Sequence, residues 1–352
     1  MSRIRVLVVD DSAMARQIIE KGLSSDPEIE IVGTAADVFQ ARDLIVYREP
    51  DVITLDVEMP KMDGVEFLRR FMPQKPVPVV MVSAMTGPGA RITLEALEYG
   101  AVDFVLKPST SFGVGLKEMI DTLIDKVKAA SRVDVSSWKN RKVQAPAGSR
   151  QRVLVGGTDK ILAMGASTGG TVALRQILQA FPADMPGTVI VQHMPPTFTR
   201  MFAEKLDEVC KVNVKEAADG DRILRGQVLV APGARHMEVK RSGGRYEVRL
   251  SQGEKVNGHI PSADVLFNSL ASSAGGNVLG VILTGMGGDG ARGLLEIRKA
   301  GGRTLGQDRD SSVVYGMPQV AMELGAVEKQ LPLHLMVDGI IQSFQEMQKA
   351  EK

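Results

Sequence analysis

ILAMGASTGGTVAL, residues 161–174, reads as a strand, a sharp turn and the start of a helix. The run Ile161 to Ala166 is apolar, the turn is built of small residues around Ser167, and Val172, Leu174, Ile177 and Leu178 then follow a helical pattern. A serine at such a corner stands at the carboxyl edge of a sheet, where open α/β folds collect their chemistry. The helix N-terminus beneath it offers N–H donors to a developing negative charge. Gly165-Ala166-Ser167-Thr168-Gly169 also fits the G-x-S-x-G nucleophile elbow, a pattern that glycine-rich turns can meet with no catalytic role.

The segments on either side supply partners for that serine. Thr188 to Gln192 reads as a strand ending in His193-Met194-Pro195-Pro196, and Asn277 to Leu283 as a strand entering TGMGGDG, Thr284 to Gly290, which carries Asp289. Ser167, His193 and Asp289 each directly follow a predicted strand, so a parallel sheet would bring them to one edge. Serine is a poor nucleophile at neutral pH; an imidazole has to take its proton, and a carboxylate has to hold that imidazole in the right tautomer. Of the four histidines, His334 reads as a surface residue, and His236 and His259, in Gly/Pro-rich loops, read as candidates for the site wall. The order Ser, His, Asp differs from the Ser, Asp, His order of α/β hydrolases. The competing reading is a non-catalytic half that binds a nucleotide or a partner. Against it, Ser167 takes the place of the second glycine of G-x-G-x-x-G, and no Gly-Lys-Ser/Thr follows.

The rest of this half is also α/β. Phe198, Phe202 and Leu206 share a helix face, Val228 to Ala231 reads as a strand, and Glu238 to Arg241 with Tyr246 to Leu250 as a hairpin. Ser262 is placed to cap a helix carrying Val265, Leu266 and Leu270. The expectation is a mainly parallel sheet with a small hairpin. Cys210, the single cysteine, reads as a small core residue at a helix end and excludes an internal disulfide or a thiolate zinc site.

The first 130 residues alternate apolar runs with helical stretches. Ile4 to Val9, Ile29 to Thr34, Val52 to Leu55, Val77 to Val82 and Asp103 to Leu106 read as strands, each followed by residues recurring at three and four. Continuous Val/Ile/Leu runs suit a parallel sheet covered on both faces, hence a doubly wound (βα)5 domain. Asp10 and Asp11 follow the first strand, Asp56 ends the third, Ser83 the fourth and Lys107 the fifth. Three carboxylates converging on one crevice repel each other unless a hard cation with oxygen ligands joins them, and Mg²⁺ is the usual one.

Between the halves, residues 131–158 mix Ser, Pro, Gly and basic residues without a period and read as a linker, so the expected domains are 1–130 and 159–352. Trp138, the only tryptophan, is either a solvated linker residue or an anchor on one domain. Charge follows the same division: 15 Lys/Arg against 20 Asp/Glu over 1–128, 6 against 1 over 129–158, and 22 against 21 over 159–352. A net charge of +1 and a neutral second half without a helix-turn-helix pattern argue against a nucleic-acid partner. The first apolar run, Val6 to Val9, stops at Asp10-Asp11, too short for a signal peptide, and no stretch reads as a membrane span. A cytoplasmic protein with no direct membrane insertion is expected.

On VVDDS (Val8 to Ser12), TLDVEMPKMDG (Thr54 to Gly64), Ser83-Ala84 and Lys107-Pro108, the first 128 residues resemble a response-regulator receiver domain. The resemblance implies that Asp56 accepts a phosphoryl group from a histidine kinase phosphodonor. It likewise implies that Asp10, Asp11 and Asp56 hold Mg²⁺, that Ser83 and Lys107 meet the phosphoryl group, and that Phe104 is the aromatic switch residue. On MGASTGG (Met164 to Gly170), QHMPP (Gln192 to Pro196), APG-x-x-HM (Ala231 to Met237) and LTGMGGDG (Leu283 to Gly290), the second half resembles the catalytic domain of chemotaxis protein-glutamate methylesterases of the CheB type. That implies Ser167 as nucleophile, His193 as base, Asp289 as its orienter and the Met286 N–H in the oxyanion hole, with no cofactor at the esterase site. It also implies methylated chemoreceptor helices as substrate, deamidation of receptor glutamines as a second activity, and a receiver that covers the esterase site until phosphorylated. Where the family commonly has N-x-H-R-P-S-V-D, this chain reads Asn257-Gly258-His259-Ile260-Pro261-Ser262-Ala263-Asp264, lacking the cation at Ile260.

Overall fold

The Val/Ile/Leu runs of the first half become five parallel strands, β1 (Ile4–Val9), β2 (Ile29–Ala35), β3 (Val52–Asp56), β4 (Val79–Ser83) and β5 (Asp103–Leu106), in the order β2-β1-β3-β4-β5. The computed structural model describes residues 3–60, 62–84, 87–108, 114–135 and 159–350. Helices α1 (Ala13–Leu23), α2 (Val38–Arg48), α3 (Gly64–Phe71), α4 (Gly87–Glu98) and α5 (Val114–Ala130) alternate with the strands. Every residue of β3 and β4 is buried, as a sheet covered on both faces requires. The strand expected from Val77 starts at Val79, because Pro76 and Pro78 have no N–H for the ladder. Pro78 still accepts from Ile53 N through its carbonyl.

The second half builds a larger parallel sheet. Its strands are β6 (Ile161–Ala166), β7 (Gly187–Gln192), β8 (Asn213–Glu216), β9 (Gln227–Val230), β12 (Val278–Ile282), β13 (Arg303–Gln307) and β14 (Lys329–Leu331), in the order β14-β13-β12-β6-β7-β9-β8. All six pairings are parallel. The expected hairpin is present as β10 (His236–Ser242) and β11 (Arg245–Ser251), longer at both ends than the sequence pattern gave. It is tied to helix α8 (Ala263–Ser273) by Ser269, whose hydroxyl accepts from Val239 N. Helices α6 (Gly170–Gln179), α7 (Pro196–Val209), α9 (Ala291–Lys299), α10 (Met317–Glu323) and α11 (Met336–Ala350) complete this half. Phe198, Phe267 and Phe344 are fully buried, and each such side chain stabilises the fold by about 2–3 kcal/mol.

Strand register positions the site. Ala166 pairs with Gln192 and Gly165 with Ile282, so the carboxyl ends of β7, β6 and β12 lie side by side. The chain runs outward from β6 to β7 and, later, outward from β12 to β13, so the strand order reverses between β6 and β12, the place where open α/β sheets bind their ligands. The chain divides into two compact units, Met1–Gln144 and Ala145–Lys352. Most of the expected linker, including Trp138, lies outside the described residues.

Candidate active site

Ser167 is the residue after β6 and His193 the residue after β7, one step beyond the Ala166–Gln192 pair. The two residues therefore sit on neighbouring strands, about 4.8 Å apart in the pairing direction. Their backbones are locked: His193 N donates to Ala166 O (3.1 Å) and Ser167 N to Thr284 O (3.0 Å). Gln192, buried at the end of β7, donates from Nε2 to Ser167 O at 2.9 Å. Gly285 makes room for the serine, since a Cβ there would stand 2.8 Å from Ser167 Cβ and 2.3 Å from Met317 Sδ. Buried Thr284 binds the turn from the other side, donating from Oγ1 to Thr168 O and accepting from Val314 N.

The imidazole of His193 is 7% exposed and its Nε2 lies 2.8 Å from Asp289 Oδ2. Asp289 is a carboxylate, so Nε2 carries the hydrogen and Nδ1 the free lone pair. Nδ1 is buried and has no hydrogen-bond partner among the described residues, so the bond to Ser167 that a triad requires is not made in this conformation. Catalytic hydrogen bonds commonly tighten only when substrate binds. Here Nδ1, not Nε2, is the nitrogen available as base.

Asp289 is 1% exposed and heavily satisfied. Oδ1 accepts from Asn257 Nδ2 (2.8 Å) and Ser262 Oγ (2.7 Å), and Oδ2 from Ala263 N (2.6 Å) as well as from His193. Ser262 is the N-cap of α8, so the carboxylate sits at the positive end of that helix. Burial pushes its pKa up, but the hydrogen bonds from His193, Asn257 and Ser262 outweigh it and hold the group well below the usual carboxylate range.

Of the expectations about neighbouring histidines, one comes out differently. His236 is no site wall: it is buried, its Nε2 donates to Glu254 O and its Nδ1 accepts from Ser262 N, so it fixes the loop that caps α8. His259 does line the site, stacked on His193 with ring centroids 3.8 Å apart and planes 12° apart. His334 is exposed, as the sequence suggests. Met286 follows Gly285, which is clamped by Val314, Gly316 and Met317, and no group among the described residues accepts from Met286 N–H. Sequence reasoning missed Gln192, Thr284 and Asn257 as supports. Of these, only the Asn257-Gly258 pair carried a local signal, that of a tight two-residue turn.

A second constellation stands at the strand ends of the first unit. Asp10, Asp11 and Asp56 bring carboxylate oxygens within 4.8 Å of one another, Asp10 and Asp56 buried and Asp11 exposed. An all-oxygen, triply acidic donor set fits a hard dication such as Mg²⁺. Lys107 Nζ lies 2.8 Å from Oδ2 of both Asp10 and Asp56. Burial raises the pKa of Asp56, and Lys107 offsets this only in part. Ser83 is buried and paired with Thr93, Oγ to Oγ1 at 2.7 Å. Phe104 is buried beneath Lys126, whose ammonium lies 5.3 Å from the ring centroid. Among the described residues no helix is long and apolar enough to cross a membrane.

Residues 162–340 match the family model described as CheB methylesterase, and residues 6–113 that of the response regulator receiver domain. The chain is 56% identical over 342 residues to a protein-glutamate methylesterase/protein-glutamine glutaminase of Syntrophotalea carbinolica, covering 96% of this chain and 97% of the relative. It is 52% identical to a protein of that name, numbered 2, in Pseudomonas aeruginosa, with 96% of each chain covered. The crystal structure of the Thermotoga maritima CheB methylesterase catalytic domain superposes with a TM-score of 0.52 at 35% identity, over 53% of this chain and 99% of that one.

Proposed function

The chain belongs to the CheB methylesterase family with an N-terminal response regulator receiver domain, and from that premise we propose a phosphorylation-activated protein-glutamate methylesterase of chemotaxis adaptation. Its substrates would be glutamyl methyl esters on chemoreceptor helices, with deamidation of receptor glutamines by the same site. The observation that carries the reading is the His193–Asp289 pair at the strand end beside Ser167, with Nδ1 of the imidazole left open. Ser167 Oγ attacks the ester carbonyl while His193 Nδ1 takes its proton, and the Met286 N–H stabilises the oxyanion. The C–O bond to methoxide then breaks, and the proton on Nδ1 passes to it to give methanol. Water, activated by the same nitrogen, attacks the acyl-serine and releases the γ-carboxylate. Glutamine follows the same course with ammonia as leaving group. No step calls on a metal.

In the first unit Asp56 would accept the phosphoryl group from a histidine kinase. Asp10, Asp11 and Asp56 would hold Mg²⁺, which when bound neutralises charge on the transferring group. Lys107 supplies the fixed cation beside Asp56, and Ser83 the hydroxyl that meets the phosphoryl oxygens, with Phe104 reporting the change. Ser167→Ala tests the esterase: methanol release from methylated receptor membranes should fall by about 10³-fold or more, with phosphate uptake at Asp56 intact. Near wild-type release would remove Ser167 from the mechanism.

A further inference from the structure

The turn Val256–His259 touches both the base and its orienter. Val256 N donates to His259 O and His259 N to Val256 O, each at 3.0 Å, with Asn257 at φ 52° and Gly258 at φ 82°. Two successive positive-φ residues make the tight turn that Asn-Gly favours, because glycine has no Cβ and asparagine tolerates the left-handed region. The turn is thereby closed, and Asn257 and His259 carry their side chains from it into the site.

Asn257 Nδ2 reaches Asp264 Oδ2 and Asp289 Oδ1, each at 2.8 Å. Its amide nitrogen thus donates to two different buried carboxylates. Asp264 is pushed toward its protonated form, first by burial and further by the charge on Asp289, while Gly293 N–H and Asn257 pull the other way. Two residues along, the His259 ring lies flat on His193. The titratable groups around His193 are therefore Asp289 on Nε2, His259 on the ring face, Asp264 behind Asn257 and His236 behind Ser262. A neutral ring over an imidazole favours the imidazolium that forms when the serine gives up its proton, whereas a charged one would oppose it.

We propose that this turn is a positioning clamp, in which Asn257, donating to both carboxylates, lets Asp289 keep its charge beside Asp264, and His259 holds the His193 ring with Nε2 on the carboxylate and Nδ1 left for Ser167. The proposal rests on the esterase reading above. It is tested in the intact protein with phosphodonor, measuring kcat, KM and the pH profile of methanol release from methylated receptor membranes.

Asn257→Ala is expected to lower kcat about tenfold to a hundredfold, the range of a lost hydrogen bond to a charged group, with KM unchanged and the acid limb of the profile moved upward. Asn257→Ala/Asp264→Asn removes the second charge and recovers part of that loss, which a mere folding defect would not. His259→Ala lowers kcat by up to about tenfold, while His259→Phe, which keeps the stacking face, stays within about threefold of wild type. Wild-type kcat in both alanine variants overturns the clamp. So does a double variant no better than Asn257→Ala, or an equal loss with Phe and Ala at position 259. Ser167→Ala, measured alongside, separates the two levels: if it turns over normally the esterase reading falls, and the clamp with it. If it is inactive while the alanine variants are not, the clamp alone falls.

Discussion

Asp289 shows how a buried charge is kept at this site. Taking a carboxylate out of water costs several kcal/mol, and only compensating donors make it tolerable. His193, Asn257, Ser262 and Ala263 all donate to it, and hydrogen bonds to a charged group contribute about 1.5–3 kcal/mol each, so the donors win and the pKa falls. A carboxyl whose folded pKa is depressed contributes stability that is fully present above its unfolded value of 3.8 and is lost as the pH falls through the folded value. Asp289→Asn should therefore lower kcat about 10⁴-fold, since an amide favours the wrong tautomer of His193. Its stability deficit, read from urea midpoints, should be full at pH 7 and shrink as the pH is taken from 5 to 2. A deficit independent of pH would mean that the charge on Asp289 does not contribute to folding.

Helix α8 links the acid to the fold. Its first turn gives Asp289 the Ser262 hydroxyl and the Ala263 N–H, while His236 holds the cap from behind through Ser262 N. Ser262→Ala removes the cap and one donor, so thermal unfolding of the second unit should show a loss of about 1 kcal/mol, together with a fall in kcat at unchanged KM. A loss of stability with full turnover would make Ser262 a cap and nothing more. The cap was legible in the sequence, since serine precedes a helical pattern. Its second bond was not, because Asp289 is 27 residues away.

The same contrast runs through the other elements. Central strands β3, β4, β6 and β12 announce themselves as apolar runs because both faces are buried. Strands β8 (NVKE) and β14 (KQL) are short and polar at the sheet edges, and β13 (RTLGQ) has little apolar length, so no periodicity marked them. In the site, Ser167 and His193 were legible because each directly follows a strand, and Asp289 because it lies in the glycine-rich loop that one enters. Asn257 and the stacking of His259 come from a turn whose flanking residues do not alternate, and the side chains of Thr284 and Gln192 act on backbone atoms of distant residues, which carry no sequence signal.

At the scale of the whole chain, two compact units each carry a site at the carboxyl edge of a parallel sheet. The coupling we propose starts at Asp56. A phosphoryl group adds about two negative charges, and Ser83, whose hydroxyl accepts from Thr93 and donates to Ala84 O, has to turn its hydrogen away from that carbonyl to meet them. That exchange moves the ends of β4 and β5, and a change there controls the esterase only if it shifts a population between inhibited and open states. The most direct measurement is methanol release from methylated receptor membranes by the intact protein, by Asp56→Asn and by the fragment 159–352, each with and without phosphodonor. The account predicts a slow intact enzyme that the phosphodonor accelerates, an Asp56→Asn enzyme that it does not, and a fragment that is fast and indifferent to it. A fragment no faster than the unphosphorylated intact protein would contradict inhibition by the receiver.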